Sequence, residues 1–122
     1  MSDEMANDAI PNSVAFLSGD LMFASRVRGA AENAGWQFLF GGSLPREDLS
    51  TVRYVIVDLS TRSGLIPEIV SQVAERCPDA KLIAYGPHVQ VERLKKARAA
   101  GVPTVLTRGQ FDSGLGSMFY LE

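Results

Sequence analysis

The chain has one cysteine, Cys77, so no internal disulfide can close and its 122 residues must fold on packing alone, as suits a reducing compartment. Cys77 stands beside Pro78 with no visible base, and an inert thiol is expected. There is one histidine, His88, after Pro87, with no second histidine or cysteine close enough in sequence to suggest a metal site or a catalytic base. No Ser-His-Asp, Cys-His or paired-carboxylate arrangement is present, which points away from an enzyme. No apolar stretch approaches the roughly 18 residues of a membrane span. Residues 1–12 carry Asp3, Glu4 and Asp8 where a secretion signal would have a basic start and an apolar run. Positive charge is not in excess either: the formal net charge is −2, which speaks against general nucleic-acid affinity. The expectation is a cytoplasmic protein with a mobile, disordered tail over residues 1–12 and one domain over residues 13–122.

What is present is ordinary core-forming material, 46% hydrophobic and 21% charged, arranged in alternating runs. Ser13 to Ser18, Trp36 to Phe40, Arg53 to Leu59, Lys81 to Tyr85 and Thr104 to Thr107 read as strands, the third being the strongest and rich in β-branched residues. Asp20 is placed to cap a helix whose apolar positions run from Leu21 to Ala34, with Gly35 closing it. Residues 41–50 leave room for one or two helical turns, with Pro45 suited to the first. After a loop over residues 60–64, Leu65 to Arg76 is expected to be helical, and Pro78 ends it. Val91 to Ala100 forms a further helix, capped by Gly101. A short last helix is expected over residues 111–121, weakened by Gly114 and Gly116. Five strand-helix alternations with apolar strands predict an α/β fold: a parallel sheet covered on both faces in a doubly wound, three-layer domain.

Four segments carry a resemblance to a known family: residues 14–20 (VAFLSGD), 54–59 (YVIVDL), 82–86 (LIAYG), and 99–102 (AAGV) followed by 105–111 (VLTRGQF). Over roughly residues 13–119 the chain resembles the CheY-like receiver domains of response regulators in two-component signalling. The resemblance implies the flavodoxin-like strand order 2-1-3-4-5, with chemistry at the carboxyl ends of strands one and three. Receivers place there an acidic pair, a phosphate-accepting aspartate, a hydroxyl residue and a lysine, which together hold magnesium and the transferred phosphoryl group.

Carried over residue by residue, the phosphoacceptor falls on Asp58, while the acidic pair falls on Ser18 and Gly19, neither of which supplies a carboxylate. Asp20, one step further on, is at most a vestigial metal ligand. Tyr85 takes the hydroxyl position and Arg108 the lysine position, and these two are the switch-like residues. One carboxylate makes a weak magnesium site, so no cofactor is expected. An ion pair of Asp58 with Arg108, or bonds from loop N–H groups, would account for Asp58 without turnover. Trp36 is expected to cover a helix end, and Tyr85 to be a packed ring.

The resulting expectation is a non-catalytic pseudo-receiver that signals through a protein partner or a homodimer. Its docking face is expected on the fourth helix, fifth strand and last helix, with Arg93, Lys96 and an exposed apolar set of Leu115, Met118 and Phe119. Two alternatives stand beside it: a true phosphoacceptor using Asp58 with an atypical magnesium site, and a flavodoxin-like small-ligand protein or enzyme.

Overall fold

Each of the five apolar runs becomes a parallel strand: β1 (Ser13–Leu17), β2 (Gln37–Gly41), β3 (Val52–Asp58), β4 (Lys81–Gly86) and β5 (Thr104–Thr107). The computed structural model describes residues 11–120, and within it the strands lie in the order β2-β1-β3-β4-β5. Five helices connect or follow them: α1 (Leu21–Asn33), a single turn α2 (Leu59–Arg62), α3 (Glu68–Arg76), α4 (Val91–Ala99) and α5 (Arg108–Met118). A 3-10 turn (Ser63–Leu65) joins α2 toward α3.

The sheet is buried on both faces because its side chains alternate between two helical layers. Val14, Phe16, Ile56, Ile83 and Tyr85 point to the side covered by α1 and α5. Ala15, Leu17, Val55, Val57, Leu82 and Ala84 point to the side covered by α3 and α4. The two cores differ in kind. The α1/α5 side is built of rings, and Phe16 lies within 5.9 to 6.5 Å of the ring centroids of Phe23, Phe38, Phe40, Tyr85 and Phe111. The α3/α4 side, built from buried Leu, Ile, Val and Ala with Cys77, contains no ring.

Asp20 caps α1, its carboxylate accepting from Phe23 N at 3.0 Å. The chain leaves α1 and α4 through Gly35 (φ 80°) and Gly101 (φ 98°), both in the left-handed region that glycine enters without strain.

Several expectations need correction. Residues 42–51 form no helix: this crossover is irregular, and it is held by Leu44 and Leu49, both buried in the aliphatic core. The helix expected from Leu65 begins at Glu68, and helical structure has already started at Leu59, because the Asp58 carboxylate caps the turn that follows it. The last helix begins at Arg108, three residues early. The Thr107 hydroxyl accepts from Gln110 N, and the Gln110 side chain accepts from Thr107 N, a reciprocal pair that starts a helix firmly. Gly114 and Gly116 stand on the exposed side of that helix. Most of the expected tail, residues 1–10, and the expected end of the last helix at Leu121 lie outside the described residues. Asn12 is no tail residue: it accepts from Gln37 N at 2.9 Å and from Arg53 Nε at 3.1 Å. Among the described residues, no helix is long and apolar enough to cross a membrane.

Candidate functional site

At the carboxyl end of the sheet, where strand order reverses between β1 and β3, Asp58 is buried at 1% exposure. A buried carboxylate needs donors, and four reach it. Oδ1 accepts from Ser60 N at 3.0 Å and from Ser60 Oγ at 2.7 Å. Oδ2 accepts from Ser18 Oγ at 2.7 Å and from Thr61 Oγ1 at 2.8 Å. A carboxylate has about four lone-pair sites, so this one is filled. The same hydroxyls reach onward: Ser18 Oγ accepts from Asp20 N, and Thr61 Oγ1 accepts from Gly19 N, both at 2.9 Å. The turn after β3 is thereby fastened to the end of β1.

Arg62 closes that turn and lies on the same strand ends. Its Nη1 donates to Thr61 O at 2.9 Å. A Cβ built on Gly19 would stand 3.3 Å from Nη1, and one on Gly42 3.1 Å from Nε. The guanidinium therefore covers two glycines, and its Nε is buried without a hydrogen-bond partner. Arg62 lies in a segment expected to be a loop, and its only signal in the sequence is the glycine at each of two strand ends, which leaves space for a large planar group.

The expected ion pair of Asp58 with Arg108 does not form. Arg108 opens α5 and reaches α1 instead: its Nη1 is 3.5 Å from Asp20 Oδ2, and its Cζ stands 4.2 Å over the Phe23 ring. Asp20 is committed to that contact and to its cap. The other expected account of Asp58, bonds from loop N–H groups, matches in part through Ser60 N, with hydroxyls supplying the remainder.

Tyr85 pairs in register with Asp58 across β3 and β4 and is 1% exposed. Its ring stacks on Phe111 at 4.6 Å between centroids, 9° from parallel, and its hydroxyl has no hydrogen-bond partner. Burial, and then the Asp58 charge, hold the phenol far above the ordinary tyrosine range. Trp36 is buried against Tyr54 and Phe119. His88 is exposed. Cys77 is buried, and burial raises its thiol above the usual value, Arg76 opposing.

The exposed apolar set expected on the last helix is also corrected. Leu115 and Phe119 are 4% and 2% exposed, drawn into the ring core because α5 packs against α1, and Met118 is partly buried. Arg93 and Lys96 are exposed on α4, where they line a cleft facing Ser63 and Ile66 on the α3 side, away from α5.

The receiver resemblance implies a divalent cation at this strand end, and the residues present do not fit one. Ser18 and Gly19 supply no carboxylate, the Asp58 oxygens are already taken, and a guanidinium lies over Gly19. Among the described residues no group of three metal-ligating side chains comes together.

No protein-family model matches the chain, and no curated protein matches it. Solved structures do. A response regulator from Thermotoga maritima superposes with a TM-score of 0.61 at 15% identity, over 88% of this chain and 99% of that one. The beryllofluoride-activated NtrC4 receiver domain dimer gives 0.63 at 16% identity, over 88% and 95%. A CheY-like receiver domain protein from Methanospirillum hungatei gives 0.62 at 11% identity, over 87% and 94%. Five parallel strands in the order 2-1-3-4-5 between two helical layers, matched along nearly their whole length by these proteins, are the fold of the CheY-like response-regulator receivers.

Proposed function

We propose that this chain is a non-catalytic, cytoplasmic pseudo-receiver that takes part in signal transduction by binding another protein. One observation carries the reading: all four donor positions around the Asp58 carboxylate are filled from within the chain while Arg62 covers the neighbouring glycine. An acyl phosphate forms when a carboxylate oxygen attacks phosphorus with its lone pair free and a cation shields the incoming oxygens. Here the lone pairs are engaged, the group is buried, and among the described residues no group of three metal-ligating side chains comes together. Hydroxyl donors do for Asp58 in folding what a cation would do in phosphoryl transfer: they satisfy its charge.

The test is incubation with magnesium and acetyl phosphate, followed by intact mass, together with magnesium and beryllofluoride followed by amide spectra. The expected result is no added phosphoryl mass and no change at Ser18, Ser60 or Thr61. Addition of one phosphoryl group, lost on Asp58→Asn, overturns the reading in favour of a true phosphoacceptor.

A further inference from the structure

Away from Asp58, charge on this chain is unevenly spread. The net charge is −2, yet α4 carries Arg93, Lys95, Lys96 and Arg98 against Glu92 alone. Arg93, Lys96 and Ala97 form one wall of a 380 Å³ cleft, and Ser63 and Ile66 form the other. No carboxylate lines it. A neighbouring hollow of 340 Å³ shares Arg93 and is lined otherwise by Val89, Gln90, Val91 and Glu92, so a carboxylate stands there and not in the cleft; Val89 and Val91 are 72% and 49% exposed.

We propose that this cleft docks an acidic peptide segment of a partner protein, with carboxylates on Arg93 and Lys96 and an apolar side chain against Ile66. The proposal names the partner's chemistry and rests on the pseudo-receiver reading for its role in signalling. Charge complementarity selects the occupant. A nucleic acid fits less well, because the chain as a whole is acidic and the cleft offers no ring for a base to stack on.

Arg93 is already held in place. Its Nη1 is 3.1 Å from Leu59 O, 3.3 Å from Ser60 O and 3.4 Å from Gln90 Oε1. A guanidinium has five N–H donors, so one fixed nitrogen leaves others for a carboxylate, and less side-chain freedom is lost on binding. Lys96 has no hydrogen-bond or ion-pair partner among the described residues. The Arg93 contacts also give the cleft a route to the site. Leu59 and Ser60 directly follow Asp58, and Ser60 supplies two of its four donors. A carboxylate bound by the remaining N–H groups of Arg93 is therefore felt at Leu59 and Ser60.

The probe is a ten-residue peptide of glutamates around one central leucine, titrated into the full chain and followed by amide spectra, with the lysine counterpart as control. Expected are saturable shifts at Ser60, at Ile66 and over residues 89–97, weakening as salt is raised. Lys96→Glu, which breaks no contact among the described residues, weakens binding at least about tenfold. The proposal is overturned if the wild type gives no saturable shifts, if Lys96→Glu binds equally well, or if the lysine peptide binds as tightly. It is also overturned if a single-stranded oligonucleotide of equal charge takes the same amides more tightly. Neutralising Asp3, Glu4 and Asp8 in the full chain must leave the cleft amides in place; if they shift, the chain's own first residues occupy the cleft and no partner is needed. A chain that accepted phosphate yet bound the glutamate peptide would keep this site and lose the pseudo-receiver reading, so the two can fail separately.

Discussion

Ser18 and Asp58 meet across the carboxyl ends of β1 and β3, the serine hydroxyl 2.7 Å from Oδ2, with the residues 2% and 1% exposed. A carboxylate in place of that serine would set two like charges together in a buried site, tolerable only with a cation between them. The hydroxyl removes that need. It donates to Asp58 and accepts from Asp20 N, so both its functions are used.

Removing the acceptor tests how much that arrangement contributes to stability. Asp58→Ala leaves three hydroxyls and one amide without their common partner, and a loss of about 2–4 kcal/mol is expected. Asp58→Asn, which keeps the volume but accepts fewer hydrogen bonds, is expected to cost about 1–3 kcal/mol. Urea denaturation measures both, and an unchanged midpoint for Asp58→Ala would show that the four bonds contribute nothing.

Arg62 should stand in the way of any restored metal site. With Ser18→Asp and Gly19→Asp introduced together, magnesium binding is expected to remain weak while Arg62 is present. It should strengthen at least about tenfold when Arg62→Ala is added. Calorimetric titration with magnesium compares the two variants, and equal affinity would mean that the guanidinium does not compete for the place.

Tyr85 makes a prediction about alkaline pH. Its phenol is raised in the folded state relative to a free tyrosine near pH 10, so the fold favours the neutral form. That preference contributes fully below the unfolded value and is lost as pH rises above it. Stability should therefore fall above about pH 10, and Tyr85→Phe should flatten the fall. At neutral pH the same variant removes an unpartnered buried hydroxyl, and a change within about 1 kcal/mol is expected. Denaturation midpoints against pH for the two proteins decide the matter.

Arg108→Ala should be mild. Its contacts are a 3.5 Å pair between side chains 44% and 28% exposed, screened by water, and a ring beneath its guanidinium. A loss below about 1 kcal/mol is expected. A loss of several kcal/mol would restore a direct role for Arg108 at Asp58.

The fold was legible because its strands are short apolar runs separated by turn residues, and α1 has both its cap at Asp20 and its glycine at residue 35. The site was legible only in part. Asp58 could be placed by its position at the end of β3, but its partners could not: Ser60 and Thr61 belong to a single turn too short to show periodicity, although an aspartate before it is a local capping signal, and Ser18 comes from 40 residues away. Leu115 and Phe119 were misread because the two glycines near them suggested a loosened helix. Spacing of four between Phe111, Leu115 and Phe119 was the better guide to a buried stripe. Gly19 reads in sequence as a turn residue, whereas in the fold it is the space that Arg62 fills.

The contrast between the two cores bears on where this domain can yield. On the aliphatic side, exchanges among leucine, isoleucine and valine usually cost under about 1.5 kcal/mol, because branched chains repack. Around Phe16 five rings converge, and trimming one to alanine opens a void costing about 3–5 kcal/mol. One half of the molecule thus behaves as an anvil and the other as the part that can be reworked. Adaptation to new partners would accumulate around α2, α3 and α4, the half in which Arg93 grips the turn behind Asp58.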